Sequence, residues 1–202
     1  MSYQEKAEEF LKVAKHFKLG KLPTETPNPK TQNLSKWAKE DLSKALKVIL
    51  EIEKDVANLL IEKKDELNNL SIAINECRTA GGKVVLCGCG ATGRLSLALE
   101  TIWRDNNSGK DLENFVESFM AGGDVALIHS IENFEDYPEY GIRQLHEMNF
   151  GENDLLISCT EGGETPFVIG ATEEAARVSK FKPYFLYCNP DEILCSVAER
   201  SK

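Results

Sequence analysis

The chain has 202 residues, 42% hydrophobic and 28% charged, with a net charge of −9 and a pI near 5.0. That length fits one domain, or one domain with an arm, and the apolar content fills an ordinary core. The acidic balance argues against an extended nucleic-acid surface, which needs clustered Lys and Arg, and no run of 18 apolar residues is present to span a membrane.

The first residues, Met1 to Leu19, are charged throughout and lack the apolar centre of a signal peptide. Phe10, Leu11, Ala14 and Phe17 recur at helical spacing, which predicts an amphipathic helix over 3–18 that stops at Gly20. Pro23, Pro27 and Pro29 then predict an extended, surface-bound stretch over 21–34. Residues 1–34 are thus read as a helix and arm, and 35–202 as the main domain. Ser35 is placed to cap a helix running to about Leu50 or beyond. A second helical stretch, with Leu59, Leu60, Leu67, Leu70, Ile72 and Ile74 as its apolar positions, reaches Thr79 and ends at Gly81-Gly82.

From there strands and helices alternate. Strands are predicted near 83–87, 115–119, 154–159 and 183–188, with helices near 93–106, 124–131, 137–148 and 165–179 and a last one from about Asp191. Repeated strand–helix units imply a parallel sheet with right-handed crossovers, and ligands in such sheets bind beyond the carboxyl ends of the strands. Sheets of this class usually have five or more strands. Only four are found, which predicts a chain truncated at its C-terminus or a short relative of a longer protein.

Six cysteines occur, at 77, 87, 89, 159, 188 and 195, none with zinc-finger spacing. Alternation along the first strand directs Cys87 and Cys89 to one face. The expected state is that of reduced thiols in a cytosolic protein. His129 and His146 read as helix-face residues, and Trp37 and Trp103 as packing residues. No metal site and no Ser-His-Asp triad is evident.

The chemistry concentrates in two loops at strand ends. The first is Gly88-Cys-Gly-Ala-Thr-Gly93 with Arg94, directly after the apolar run Val84 to Cys87. The second is Ser158-Cys-Thr-Glu-Gly-Gly-Glu-Thr-Pro166, with Thr165 at a capping position and Pro166 in the first helical turn. A helix N-terminus offers free backbone N–H groups and the positive end of a dipole, which together bind anions and phosphate above all. Two such termini facing one cleft can hold a phosphate and an adjoining sugar hydroxyl, each charge-assisted contact contributing about 1.5–3 kcal/mol. Candidate ligand contacts are Gly90, Ala91, Thr92, Gly93 and Arg94 from the first loop, and Thr160, Gly162, Gly163 and Thr165 from the second. Thr92 and Thr165 either donate to phosphate or cap their helices. Arg94 pairs either with phosphate or with a structural carboxylate such as Asp124. Gly88-x-Gly90-x-x-Gly93 also matches a dinucleotide fingerprint, but the acid which that motif needs at the end of the second strand is absent, so no cofactor is expected.

The combined pattern resembles the SIS (sugar isomerase) domain family, in the branch of N-acetylmuramic acid 6-phosphate etherases and the glucokinase regulatory protein. The likeness runs over roughly residues 22 to 192. Leu22 to Leu34 is similar to the branch's Thr-Glu-x-x-Asn-Pro-x-Thr lead-in, and Gly88-Cys-Gly-Ala-Thr-Gly-Arg-Leu95 to its first phosphate loop. Ala121-Gly-Gly-Asp124 with Glu132-Asn-Phe-Glu-Asp136, then Gly162-Gly-Glu-Thr-Pro-Phe-Val168 and Cys188-Asn-Pro190, occur in the branch's order.

The resemblance implies a three-layer αβα sandwich of flavodoxin-like or Rossmann-like type, with an N-terminal helical extension. It also implies a ligand that is a phosphorylated hexose or amino sugar. In the etherases one glutamate acts as acid on the ether oxygen and another as base. The base position falls on Glu135, which otherwise either contacts a ring hydroxyl or is an ordinary surface acid of the run Glu132 to Glu139. The acid position falls on Ile102, and Glu100, two residues earlier, lies roughly 200° around the helix. Loss of such a group typically costs ~10²–10⁴-fold in rate. In the second loop Gly162 stands where the etherases place a serine, and Glu161 and Glu164 bring negative charge close to a phosphate. The expectation is therefore a binding or regulatory role like that of the glucokinase regulatory protein. An etherase-type lyase with an impaired or partner-supplied acid is the alternative. Further expectations are a homodimer or a second SIS domain, a sugar kinase as regulated partner, and a cytoplasmic location without nucleic-acid or membrane binding.

Overall fold

In a computed structural model the protein is described over residues 2–13, 19–129, 131, 134–198 and 201. The strands are β1 (Val84–Gly88), β2 (Val116–Met120), β3 (Leu155–Cys159) and β4 (Tyr184–Leu186). The helices are α1 (Tyr3–Val13), α2 (Leu34–Glu40), α3 (Leu42–Glu62), α4 (Lys64–Thr79), α5 (Gly90–Asn107), α6 (Val125–Ile128), α7 (Pro138–Glu147), α8 (Pro166–Val178) and α9 (Asp191–Val197).

The sheet is parallel with strand order β2-β1-β3-β4. All five residues of β1 are buried, as expected of a central strand covered on both faces. Period-2 alternation sorts its side chains. Val85 and Cys87 pack with Phe119, Leu145, Leu156, Phe167, Val168 and Ala171, the layer closed by α7 and α8. Val84 and Leu86 pack with Cys77, Phe115, Val116 and Leu155, the layer reached by Ile74 of α4 and Trp103 of α5. The result is the three-layer αβα sandwich expected. Full burial of a side chain such as Phe167 or Leu155 favours folding by about 1.5–3 kcal/mol before chain entropy is counted. Trp103 packs as predicted, its ring 5.9 Å from that of Phe115 and its Nε1 donating to the Leu112 carbonyl at 2.7 Å.

The N-terminal part differs from expectation in two places. A single helix from Ser35 to Leu50 is not formed. The first turn begins one residue earlier, at Leu34, and Asp41 interrupts it with φ −151° and ψ 82°. The Asp41 carboxylate then accepts from the Lys44 N–H at 3.0 Å and starts α3, because a short acidic side chain competes with the helical ladder and prefers a cap. The stretch 21–34 lies on the surface apart from Leu22, as expected, but it is not extended. It folds into short 3₁₀ turns at Pro23–Glu25 and Pro29–Thr31, each opened by a proline whose fixed φ suits a first turn. Between them and α1, Leu22 is fully buried against Leu194 and Ala198. Ala14 and Phe17 lie outside the described residues. Among those described, no helix is long and apolar enough to cross a membrane.

The strand order fixes which loops become neighbours. From β1 the chain moves outward to β2, then returns across β1 to β3. The carboxyl ends of β1 and β3 are thus neighbours at a point where the direction of winding reverses, the place where sheets of this kind bind ligands.

Candidate functional site

Both predicted loops leave the same edge of the sheet from adjacent strands, Gly88 of β1 being level with Cys159 of β3. The first turn is tight. A Cβ on Gly88 would fall 2.6 Å from the Gly93 nitrogen, and one on Gly93 would fall 2.6 Å from the Met120 Cβ. Gly90 carries φ +53°, a left-handed conformation that L side chains rarely adopt. These contacts press the first turn of α5 onto the ends of β1 and β2.

The candidate residues of this loop take distinct places. Ala91 is exposed at the start of α5. The Thr92 hydroxyl donates to the Cys89 carbonyl at 2.8 Å and accepts from the Cys89 N–H at 3.1 Å, so it caps the helix. Arg94 is exposed, and its Nη2 donates to the Ala126 carbonyl at 3.2 Å rather than to Asp124. Gly90, Arg94, Ala121, Glu135 and Cys89 together line a cavity of about 100 Å³.

In the second loop Thr160 is buried, and its hydroxyl lies 2.9 Å from that of Thr165. Thr165 has the extended backbone of an N-cap, but its side chain makes no capping bond. Gly162 and Gly163 are buried, with φ +88° at Gly163. The loop is held from behind. The Gly162 carbonyl accepts from Asn189 Nδ2 and the Gly163 carbonyl from the Ser201 hydroxyl, both at 2.8 Å. Asn189 also receives the Thr24 N–H on its Oδ1 at 3.2 Å and donates to the Thr24 hydroxyl at 2.9 Å. The arm of the chain is thereby tied to the second loop across 165 residues of sequence.

Glu135 joins the two loops. Its Oε2 accepts from the Cys89 thiol at 3.1 Å, and its backbone carbonyl accepts from the Phe167 N–H at 2.9 Å, in the first turn of α8. Burial, the Glu135 hydrogen bond and the Glu135 charge push the Cys89 thiol up to about 12. It therefore stays protonated and donates to the carboxylate. Glu132 and Asn133 of the same block lie outside the described residues.

Two contributors escape sequence reasoning. Alternation along the strand points Cys89 only toward packing, and it does pack beside the same core layer as Cys87, but its thiol also reaches Glu135. Asn189 sits in the Cys188-Asn-Pro190 motif with no role legible there, and only its position against loop and arm reveals one. Glu100 faces β2 and not the side of Ile102, as the helical period predicts. It accepts from the Ser118 hydroxyl on β2 and from Arg104 Nε at 2.9 Å, while Ile102 is exposed on another face of α5. Among the described residues no group of three metal-ligating side chains converges.

The chain is similar to known proteins. The family model described as the glucokinase regulatory protein N-terminal SIS domain matches residues 66–176. The chain is similar to an N-acetylmuramic acid 6-phosphate etherase of Photobacterium profundum, at 32% identity over 91% of this chain and 59% of that protein. It is similar to one of Clostridium botulinum at 31%, over 91% and 59%. It thus spans about three fifths of the length of these relatives. A phosphoheptose isomerase structure from Neisseria gonorrhoeae aligns with a TM-score of 0.49 at 13% identity, over 81% of this chain and 94% of that one.

Proposed function

The chain belongs to the family of the glucokinase regulatory protein N-terminal SIS domain, and from that membership we propose that it binds a phosphorylated hexose or amino sugar in a binding or regulatory role. The phosphate sits at the start of α5, against the backbone of Gly90 to Gly93 with Arg94 beside it, and the second loop at Thr160 to Thr165 faces it. Glu135 contacts a ring hydroxyl. The observation that supports this reading is the pair of loops at the carboxyl ends of the adjacent strands β1 and β3, with Glu135 bonded both to Cys89 of the first loop and to the first turn of α8 behind the second.

A binding role is preferred to etherase chemistry because the position of the acid is an exposed Ile102 and the nearest carboxylate, Glu100, is engaged with Ser118 and Arg104. An isoleucine transfers no proton. The names of the curated relatives keep the etherase reading as the second one, with the acid supplied from outside this chain.

A cavity of about 100 Å³ is smaller than the roughly 300 Å³ or more of ordinary ligand sites, so one copy does not enclose a sugar phosphate. Leu42, Leu46, Leu50, Leu60 and Ile61 are all more than half exposed and lie on one side of α3, an apolar face left open to water. Both facts support a homodimer, or a second SIS domain, that completes the site. The free thiols support a reducing, cytoplasmic setting. Family membership alone supports a sugar kinase as regulated partner.

The test is a thermal-shift panel of fructose 6-phosphate, glucosamine 6-phosphate and muramic acid 6-phosphate. A ligand at 100 times its Kd adds ~2.7 kcal/mol of stability. Stabilisation by at least one sugar phosphate, with no lactate released from muramic acid 6-phosphate, is the expected result. Lactate release at an enzyme-like rate overturns the binding reading, and no stabilisation by any of the three overturns the sugar-phosphate site.

A further inference from the structure

The arm and the second loop meet over two surfaces, one polar and one apolar. On the polar side stands the buried Asn189 carboxamide, which has two N–H donors and an acceptor oxygen. It donates to the Gly162 carbonyl and to the Thr24 hydroxyl, and it accepts from the Thr24 N–H. Both donors and the oxygen are thus engaged at this junction. On the apolar side Leu22, with no exposed surface, packs against Leu194 with Tyr187 beside them. The same two side chains back Gly163, where a Cβ would fall 2.5 Å from Leu194 Cδ2 and 3.1 Å from the Tyr187 ring. Each glycine of the loop is therefore one side chain removed from the arm.

Beyond these two anchors the arm is thinly held. Every residue from Glu25 to Lys30 is exposed. The ion pair of Lys30 with Asp55 is exposed as well, and such a pair contributes little in water. A segment with so few buried contacts opens locally at lower cost than the sheet beneath it. When it opens, Asn189 loses two of its three hydrogen bonds and Leu194 loses its cover. The backing of Gly162 and Gly163 is then incomplete on both sides, so the order of the loop depends on the docking of the arm.

We propose that Leu22 and Thr24 are positioning residues for ligand binding and that the arm is a latch on the second loop. Docked, it fixes the backbone of Gly162 and Gly163 in the arrangement that receives the ligand. The inference rests on the sugar-phosphate reading of the two loops. Linkage makes the effect reciprocal: whatever factor the docked arm adds to ligand affinity, bound ligand adds to the docking of the arm. Thr24 separates this from direct contact with a ligand, because its hydroxyl oxygen and its N–H both engage Asn189, which stands between it and the loop. Thr24→Ala removes one of those bonds, and Thr24→Ser keeps both. Leu22→Ala removes the apolar anchor. Glu174→Gln is the control for general loss of stability, since Glu174 is bonded to Arg177 and His146 and to neither arm nor loop.

The experiment is calorimetric titration of the full chain and these four variants with fructose 6-phosphate, glucosamine 6-phosphate and muramic acid 6-phosphate, with thermal melts to verify folding. Hydrogen–deuterium exchange over residues 20–31 of wild type, with and without each sugar phosphate, reads the reciprocal effect. Thr24→Ala should bind about fivefold or more weakly than wild type and Leu22→Ala about tenfold or more, with Thr24→Ser within about twofold. Glu174→Gln should bind as wild type does, and bound sugar phosphate should slow exchange in the arm. Wild-type affinity in Thr24→Ala overturns the inference and leaves the sugar-phosphate site standing; this variant decides the matter should Leu22→Ala fail to fold. Arm exchange that a bound sugar phosphate does not slow also overturns it, and so does equal weakening in Glu174→Gln, because the effect is then loss of stability in general. Absence of binding to wild type by all three ligands sinks the sugar-phosphate reading, and the inference with it.

Discussion

Acid should weaken the chain through one ion-pair cluster whose size can be worked out. Glu174 on α8 is only 8% exposed. Its carboxylate accepts from Arg177 Nε at 2.8 Å and faces His146 Nε2 of α7 at 2.5 Å, so it ties the two helices that cover one face of the sheet. The Arg177 and His146 hydrogen bonds hold the carboxyl at about 2, against an ordinary value of 4.5. A tenfold change in an equilibrium is worth about 1.4 kcal/mol, so the gap sets a ceiling of ~3 kcal/mol. Arg177 and His146 are themselves more than half exposed, and solvent screening reduces the figure to about 1–2 kcal/mol.

The sign follows from the depressed folded value. The unfolded chain takes up the proton first as pH falls, so the stabilisation is complete above about 4.5 and is lost progressively toward about 2. Urea denaturation of wild type and Glu174→Gln at pH 7 should therefore differ by about 1–2 kcal/mol, and the difference should shrink by more than half at pH 3. A difference that stays constant between pH 7 and pH 3, or none at pH 7, would refute the reasoning.

Other consequences are open to direct measurement. Cys89 should alkylate with iodoacetamide far more slowly at pH 8 than the exposed Cys188, because its thiol is held near 12, and Glu135→Gln should speed it by removing a neighbouring charge; peptide mass spectrometry over time reads both rates. Leu22→Ala should cost about 2–5 kcal/mol by urea denaturation, since the side chain is fully buried, although the same change in an exposed arm would cost almost nothing. Asn189→Ala should destabilise by about 1–3 kcal/mol and weaken sugar-phosphate binding, because the Gly162 carbonyl and Thr24 lose a shared partner. Gly170→Ala should destabilise by about 1–3 kcal/mol, as its Cβ would fall 2.4 Å from the Pro138 carbonyl where α7 and α8 approach.

Much of the fold is legible in the sequence because its signals are local. The apolar run into Gly88 and Gly90 announces a central strand followed by a tight turn, and the structure explains the first glycine by steric packing and the second by its left-handed φ. The separation of Glu100 from Ile102 follows from helical period alone. The head of α8 is legible through Thr165-Pro166, although Thr165 pairs with Thr160 rather than capping the helix. The arm misleads because prolines report local backbone preference and say nothing of which neighbouring leucine finds a distant pocket.

What the sequence by itself determined is the alternation of strand and helix and the two loops, since period, β-branching and glycine placement act within a few residues. What only the tertiary structure decided is how those loops are furnished: Asn189 behind one of them, Cys89 and Phe167 holding Glu135 between them, and Glu164 lying on Gly162. Most of these contacts join residues far apart in the chain, and even the Glu164 contact depends on a side-chain direction that spacing leaves open. A hydrogen bond or a steric overlap is decided by ångströms in space, and no pattern of residue types along the chain encodes that distance.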